Sequence, residues 1–117
     1  MGVFLIRNNL SDKVFLTTGL DLHGTINRHK FQLIKGIHPN KSLQADWNEF
    51  GNNNFAFEIV DVLTPSEGIE LDYRKELVFL EKLWLEKLQP FGERGYNVPK
   101  LTRAERLRQI TQNSKKL

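Results

Sequence analysis

The sequence predicts an α+β domain in which helices cover a small antiparallel sheet. Residues 2–8 and 14–18 are short, rich in β-branched and aromatic side chains, and separated by turn-forming residues 9–12, so they form a hairpin. Residues 55–59 alternate apolar and polar side chains and supply a third strand. The remaining segments have the 3.6-residue period of amphipathic helices, and about three of these must cover the sheet for the core to close.

The first helix has clear signals at both ends. Asp21 can cap its start, and Gly36 ends it after Lys35. Gly24 and Thr25 are poor helix formers within it. Its predicted inward face consists of Leu22, Ile26, His29 and Leu33.

A second, shorter helix opens at Pro39 and Asn40 and ends at Gly51. Its inward side is predicted from residues at helical spacing: Leu43, Trp47 and Phe50.

The longest helix is expected to start at Ser66 and to run to about Leu88. One apolar stripe follows it, made of Tyr73, Leu77, Leu80, Trp84 and Leu88. A basic C-terminal helix is expected from Thr102 to about Asn113, because Thr102 and Glu105 form a capping box.

The composition fits one soluble globular domain. The 117 residues are 39% apolar and 26% charged, and they divide into a domain at 1–97 and a tail at 98–117. The absence of cysteine excludes disulfides and thiolate metal sites. The apolar run from Val3 to Ile6 is too short for a signal peptide core or a membrane span. We expect a soluble cytoplasmic protein without a membrane partner.

Charge is concentrated in the tail. Residues 98–117 carry six basic residues and one acidic residue, a net of +5, whereas residues 1–97 carry 11 basic and 13 acidic residues, a net of −2. Phosphate neutralisation dominates nucleic-acid affinity, so any basic footprint lies mostly in the tail. A solvated basic end is the equally favoured alternative. The basic residues are Lys100, Arg103, Arg106, Arg108, Lys115 and Lys116.

Several segments resemble, in order and spacing, the signature of the GIY-YIG nuclease family. The match spans residues 2–97, and its pieces are Gly-Val-Phe at 2–4, Val-Phe-Leu-Thr at 14–17, Asn-Arg-His-Lys at 27–30, the segments 43–51, 55–59 and 81–85, and Gly-Tyr-Asn at 95–97. The resemblance implies a three-stranded sheet covered by helices. It also implies descent from a one-metal phosphodiesterase.

Members of that family use two hairpin tyrosines, a first-helix arginine, a metal-binding carboxylate and a supporting asparagine. A phenol can lose or donate a proton, a guanidinium holds phosphate oxygens, and the metal stabilises the leaving oxygen. Carried over to this sequence, the tyrosine positions hold Phe4 and Phe15, the arginine position holds Thr25, and a strand glycine is replaced by Thr17. The carboxylate and the asparagine remain, as Glu81 and Asn97.

These replacements predict a catalytically silent, GIY-YIG-like pseudo-nuclease with no cofactor. Its role would be binding, and the partner, a nucleic acid or a protein complex, stays undecided. The residues predicted to contact nucleic acid are Arg28, Lys30, Arg103, Arg106, Arg108, Lys115 and Lys116.

The alternative is an active endonuclease with a rearranged site that needs Mg²⁺ or Mn²⁺. Glu81 would then hold the metal weakly, His29 would act as base, Arg28 would contact phosphate, and Asn97 would support the site. The spacings of six and nine between the three histidines match no metal motif, so a boundary or surface position is expected for each: His23, His29 and His38.

Overall fold

A computed structural model describes residues 1–64 and 73–99. Within these ranges the chain forms an α+β fold, as the sequence predicts. The elements are β1 (Gly2–Asn8), β2 (Val14–Gly19), α1 (Leu22–Lys35), α2 (Lys41–Phe50), β3 (Phe55–Val62) and α3 (Tyr73–Leu88), with single 3₁₀ turns at Asn52–Asn54 and Gly92–Arg94.

The sheet has the strand order β2-β1-β3, and both pairs are antiparallel. Phe4 lies opposite Thr17 on β2, and Ile6 lies opposite Phe15. These four residues therefore share one face. A Cβ at Gly2 would lie 2.2 Å from the carbonyl oxygen of Asp61, so the close approach of β1 to β3 requires glycine there.

Alternate residues of β1 supply two apolar clusters, one on each face of the sheet. Phe4 and Ile6 belong to a cluster whose buried members also include Leu22, Leu33, Leu43, Trp47, Phe55 and Tyr96. Val3 and Leu5 belong to a second cluster with Val14 and Leu16, against which Val60, Leu80, Trp84, Leu85 and Leu88 pack. The sheet is thus the middle layer, with α1 and α2 on one face and α3 on the other.

The predicted ends of α1 and the predicted start of α2 are confirmed. The Asp21 carboxylate accepts from Gly24 N at 3.3 Å, and Gly36 ends α1 with a φ of 75°. The Asn40 side chain accepts from Leu43 N at 2.9 Å. No helix in the described ranges is long and apolar enough to span a membrane.

The inward face of α2 differs from the prediction. Phe50, the last residue of the helix, is exposed, whereas Gln44 is buried. The Gln44 side chain is satisfied there because it accepts from His38 N and donates to the Leu33 carbonyl, each at 3.0 Å. The expected helix start at Ser66 and the predicted C-terminal helix lie outside the described residues.

Candidate functional site

The aromatic residues at the two family tyrosine positions pack side by side beneath α1. The Phe4 side chain is 0% exposed, whereas Phe15 is only partly buried. The His29 ring lies edge-on to Phe4, with centroids 5.5 Å apart, and 6.0 Å from the Phe15 ring. Both phenyl rings therefore serve as packing groups around a histidine.

The residues at the other two replaced positions lie near this hairpin. Thr17 faces Phe4 across the β1–β2 pair. Thr25 lies against the end of β2, since a Cβ at Gly19 would be 2.6 Å from its hydroxyl oxygen. The α1 side chain at the arginine position thus approaches β2 and carries a hydroxyl instead of a guanidinium. Arg28, one turn later, is exposed.

His29 and His38 form a buried hydrogen-bonded pair. Asn40 N donates to His38 Nδ1 at 3.0 Å, so His38 carries its proton on Nε2. His38 Nε2 lies 2.8 Å from His29 Nδ1, which must therefore accept, and the proton of His29 resides on Nε2. In this arrangement neither nitrogen of His29 offers a free lone pair.

The environment of the pair keeps both rings neutral. Burial, reinforced by the nearby His38 and Arg28 charges, lowers the pKa of His29 to about 4. Burial also lowers the pKa of His38. The interpretation of these two histidines as boundary or surface residues is therefore wrong. It holds for His23, which is exposed.

One cavity of about 260 Å³ unites four of the family positions. These are Phe15, Thr17, Glu81 and Asn97. Apolar side chains form most of the remaining wall, which also contains Lys82: Leu16, Leu85, Phe91 and Val98. Phe4 and His29 lie behind Phe15 and do not line this cavity.

The Asn97 side chain is committed to the edge of β2. Its Oδ1 accepts from Leu16 N and its Nδ2 donates to the Leu16 carbonyl, each at 2.8 Å. Gly95 forms a parallel bridge with Val14, and Tyr96 N donates to the Val14 carbonyl at 2.9 Å. Residues 95–97 thus extend the sheet beside β2, and the amide of Asn97 completes that pairing.

The cavity provides little for a metal ion. Glu81 is the only carboxylate in its described wall, and the side-chain oxygen of Asn97 accepts a hydrogen bond from Leu16 N. In residues 1–64 and 73–99, no group of three histidine, aspartate or glutamate side chains could hold a metal. Mg²⁺ is usually bound through one or two carboxylates plus waters and substrate phosphates. Within the described wall, Glu81 is therefore the side chain that could offer a carboxylate to such an ion.

Tyr96 anchors the closing segment through a polar network that sequence patterns did not indicate. Its hydroxyl donates to Asp46 Oδ2 at 2.7 Å and accepts from Asn8 Nδ2 at 3.1 Å. Its carbonyl accepts from Asn40 Nδ2 at 2.6 Å. Burial, with a further contribution from Asp46, raises the pKa of Tyr96 to about 12. This phenol is held neutral and is not placed to replace the missing tyrosines.

Two of the residues predicted to contact nucleic acid, Arg28 and Lys30, are exposed on α1. The others lie outside the described residues: Arg103, Arg106, Arg108, Lys115 and Lys116.

Comparisons with known proteins agree with this geometry. The chain is 30% identical over 102 residues to intron-associated endonuclease 1 of Enterobacteria phage T4, which is 86% of this chain and 38% of that protein. The catalytic domain of homing endonuclease I-TevI aligns with a TM-score of 0.69 and 26% identity over 85% of this chain and 98% of that domain.

A glutamate-to-alanine variant of the catalytic domain of intron endonuclease I-TevI aligns with a TM-score of 0.67 and 25% identity, over 86% of this chain and 95% of that one. No family model matches the chain. The sequence relative and both structures nevertheless align with 85–86% of the chain. The chain therefore has a GIY-YIG-type fold and is a homologue of the I-TevI catalytic domain.

Proposed function

We propose that this GIY-YIG domain binds nucleic acid without cutting it. The observation that carries the proposal is the hairpin, where phenyl rings stand at both positions that need a phenol. Phe4 is fully buried, and Phe15 packs against the neutral histidine pair. Neither ring can transfer a proton or donate a hydrogen bond to a phosphate.

The loss extends beyond the phenols. Removing one preorganised electrostatic donor costs about 10²–10³ in rate, and here Thr25 also replaces the guanidinium. Such losses do not add simply, but each one alone is severe. His29 does not replace them, because its only lone pair accepts from His38. Acting as a base would first require that hydrogen bond to break.

Two features favour nucleic acid as the partner. The relatives named above are endonucleases, whose substrate is a nucleic acid. The tail of this chain carries the positive charge that phosphate binding needs. The competing hypothesis is that a protein partner binds at the cavity lined by Glu81 and Asn97. Binding measurements distinguish a nucleic-acid partner from a protein partner.

Cleavage is tested by incubating the protein with supercoiled plasmid and Mg²⁺ or Mn²⁺. We expect no nicking by the wild type or by Glu81→Ala. Glu86→Ala, at an exposed position on the same helix, is the matched control. Metal-dependent nicking that Glu81→Ala abolishes and Glu86→Ala retains would establish the alternative, an active endonuclease with a rearranged site.

Binding is tested by salt titration with duplex DNA, single-stranded DNA and RNA. Phosphate contacts release counterions, so affinity should fall steeply as salt rises. A slope near zero, or no binding at low salt, would reject nucleic acid and leave a protein as the partner.

A further inference from the structure

A second cavity, of about 350 Å³, lies between α1, α2 and β3. It shares no residue with the cavity lined by Glu81 and Asn97. Its walls combine aromatic, apolar and polar groups. They are Lys30, Ile34, Trp47, Asn52, Phe55 and Phe57.

Three aromatic rings form the floor. The Trp47 ring is 5.2 Å from Phe55 and 6.5 Å from Phe57, centroid to centroid. Trp47 and Phe55 are buried, so their positions are fixed by the core. Phe57 is only half-buried, and Ile34 at the rim is 66% exposed. The site therefore offers a rigid aromatic surface next to an apolar side chain that already faces solvent.

In residues 1–64 and 73–99 the two polar side chains of the cavity have neither an ion-pair partner nor a hydrogen-bond partner. Lys30 Nζ lies 5.0 Å from the centroid of the Phe57 ring, and in residues 1–64 and 73–99 no carboxylate pairs with it. The Asn52 amide is exposed and has no hydrogen-bond partner in the same ranges. A cation and an amide that can both donate and accept thus stand beside the aromatic floor.

We propose that this cavity binds one unpaired nucleotide of a single-stranded nucleic acid. The base stacks on Phe57 beside Ile34, the Asn52 amide hydrogen-bonds to the edge of the base, and Lys30 moves from the ring to the phosphate. Every base has a π-face, so stacking on an aromatic side chain tolerates any sequence. A paired base is not accessible in this way, because its faces are covered within the duplex. The inference rests on the proposed nucleic-acid binding and specifies its substrate class.

The test compares a short oligothymidylate with a duplex of the same length, by fluorescence anisotropy. Two pairs of variants are compared. Each pair removes the same type of side chain, first inside the cavity and then outside it. Lys30→Ala is compared with Lys35→Ala, because Lys35 Nζ lies 5.9 Å from the Phe31 ring outside the cavity. Phe57→Leu is compared with Phe31→Leu. Thermal melting verifies that each variant is folded.

We expect Lys30→Ala and Phe57→Leu each to weaken single-strand binding about tenfold, and we expect Phe57→Leu to leave duplex binding unchanged. The two α1 controls should change it less than about threefold, as expected for distant phosphate steering. Asn52→Ala, on an exposed turn, disturbs the fold least and should also weaken single-strand binding. Equal effects within each matched pair, together with an unchanged Asn52→Ala, would overturn the inference.

A mononucleotide tests the cavity directly. Titrating thymidine 5′-monophosphate should shift the NMR resonance of the Asn52 side-chain amide, and Phe57→Leu should remove that shift. An unmoved resonance contradicts the inference even if long strands bind. If no nucleic acid binds at any salt concentration, the proposed function fails as well. If strands bind but the Phe57 and Asn52 variants behave like wild type, this inference alone fails.

Discussion

The hydrogen-bond pattern around His29 and His38 has no room for an added proton. His38 Nδ1 accepts from Asn40 N, and His29 Nδ1 accepts from His38 Nε2. A proton on either acceptor nitrogen would place two donors against each other and break that bond. Protonation of the pair therefore acts against the folded state.

This arrangement makes stability depend on pH. In the unfolded chain His29 takes up a proton near its ordinary pKa of 6.5, whereas in the folded protein its pKa is about 4. The stabilisation is therefore complete above pH 6.5 and is lost as pH falls towards 4. We expect the free energy of unfolding to fall by on the order of 2 kcal/mol over that window. Urea denaturation at a series of pH values measures it.

His29→Leu should flatten this profile, and His23→Gln, at an exposed position, should leave it unchanged. A profile that His29→Leu does not alter would show that carboxylates elsewhere control the acid response.

The two hairpin phenylalanines should differ in their response to a restored hydroxyl. Phe4 is fully buried, so Phe4→Tyr places a hydroxyl in the core, and a buried polar group without a partner costs about 1–3 kcal/mol. Phe15 is partly exposed, and Phe15→Tyr should change the free energy of unfolding by less than about 0.5 kcal/mol. Chemical denaturation measures the free energy of unfolding of both variants. Equal losses would mean that the hydroxyl added at position 4 forms a hydrogen bond in the core.

At the scale of elements, the closing segment protects the β2 edge. Residues 95–97 pair beside β2, and a Cβ at Gly95 would lie 2.3 Å from the Pro90 carbonyl oxygen. The glycine allows the chain to turn back onto itself, and Asn97 then supplies both a donor and an acceptor to Leu16. An edge strand so covered is unavailable to other chains.

Asn97→Ala should therefore destabilise the fold whether or not the domain cuts nucleic acid. It leaves the Leu16 N–H and carbonyl without partners, at a cost of about 2–3 kcal/mol. Amide hydrogen exchange at Leu16 should accelerate, and the denaturation midpoint should fall. Asn53→Ala, an exposed residue in the 3₁₀ turn, should leave both unchanged. Unaltered exchange at Leu16 in Asn97→Ala would disprove this role.

For the whole molecule, the separation of charge predicts where salt dependence originates. The division at 97/98 stays a prediction from sequence, with the net of +5 in the tail. Replacing Arg103, Arg106 and Arg108 by alanine should reduce the slope of log affinity against log salt for duplex DNA by about 2–3, near 0.9 per lost phosphate contact. Replacing three exposed lysines of the body, Lys41, Lys75 and Lys87, is the control. Equal reductions would show that the footprint is not concentrated in the tail.

Local signals predicted most of the fold. The Asp21 and Asn40 caps, the Gly36 stop and the hairpin of β1 and β2 depend on residues close together in sequence, and each is confirmed. The sequence also placed His29 on the inward face of α1. Its apolar neighbours were the only hint of its burial.

The rest could not be predicted, because it joins residues distant along the chain. The Tyr96 hydroxyl meets Asn8 and Asp46, and nothing in the spacing of these residues indicates it. His38 faces His29 only because the turn after α1 reverses the chain. Phe50 has helical spacing from Trp47, but it is the last residue of α2 and its side chain is exposed.

The amide of Asn97 also bears on how the signature positions of a nuclease family are interpreted. A comparison of signature positions would count Asn97 as a retained catalytic residue. Its two polar side-chain atoms instead hydrogen-bond to Leu16 and hold the closing segment against β2. In a lineage that stops cutting, selection no longer holds phenols and guanidinium in place, while folding still demands this amide. Such lineages should lose the phenols and the guanidinium early and keep the asparagine amide. The presence of this asparagine therefore says little about whether a domain is catalytically active.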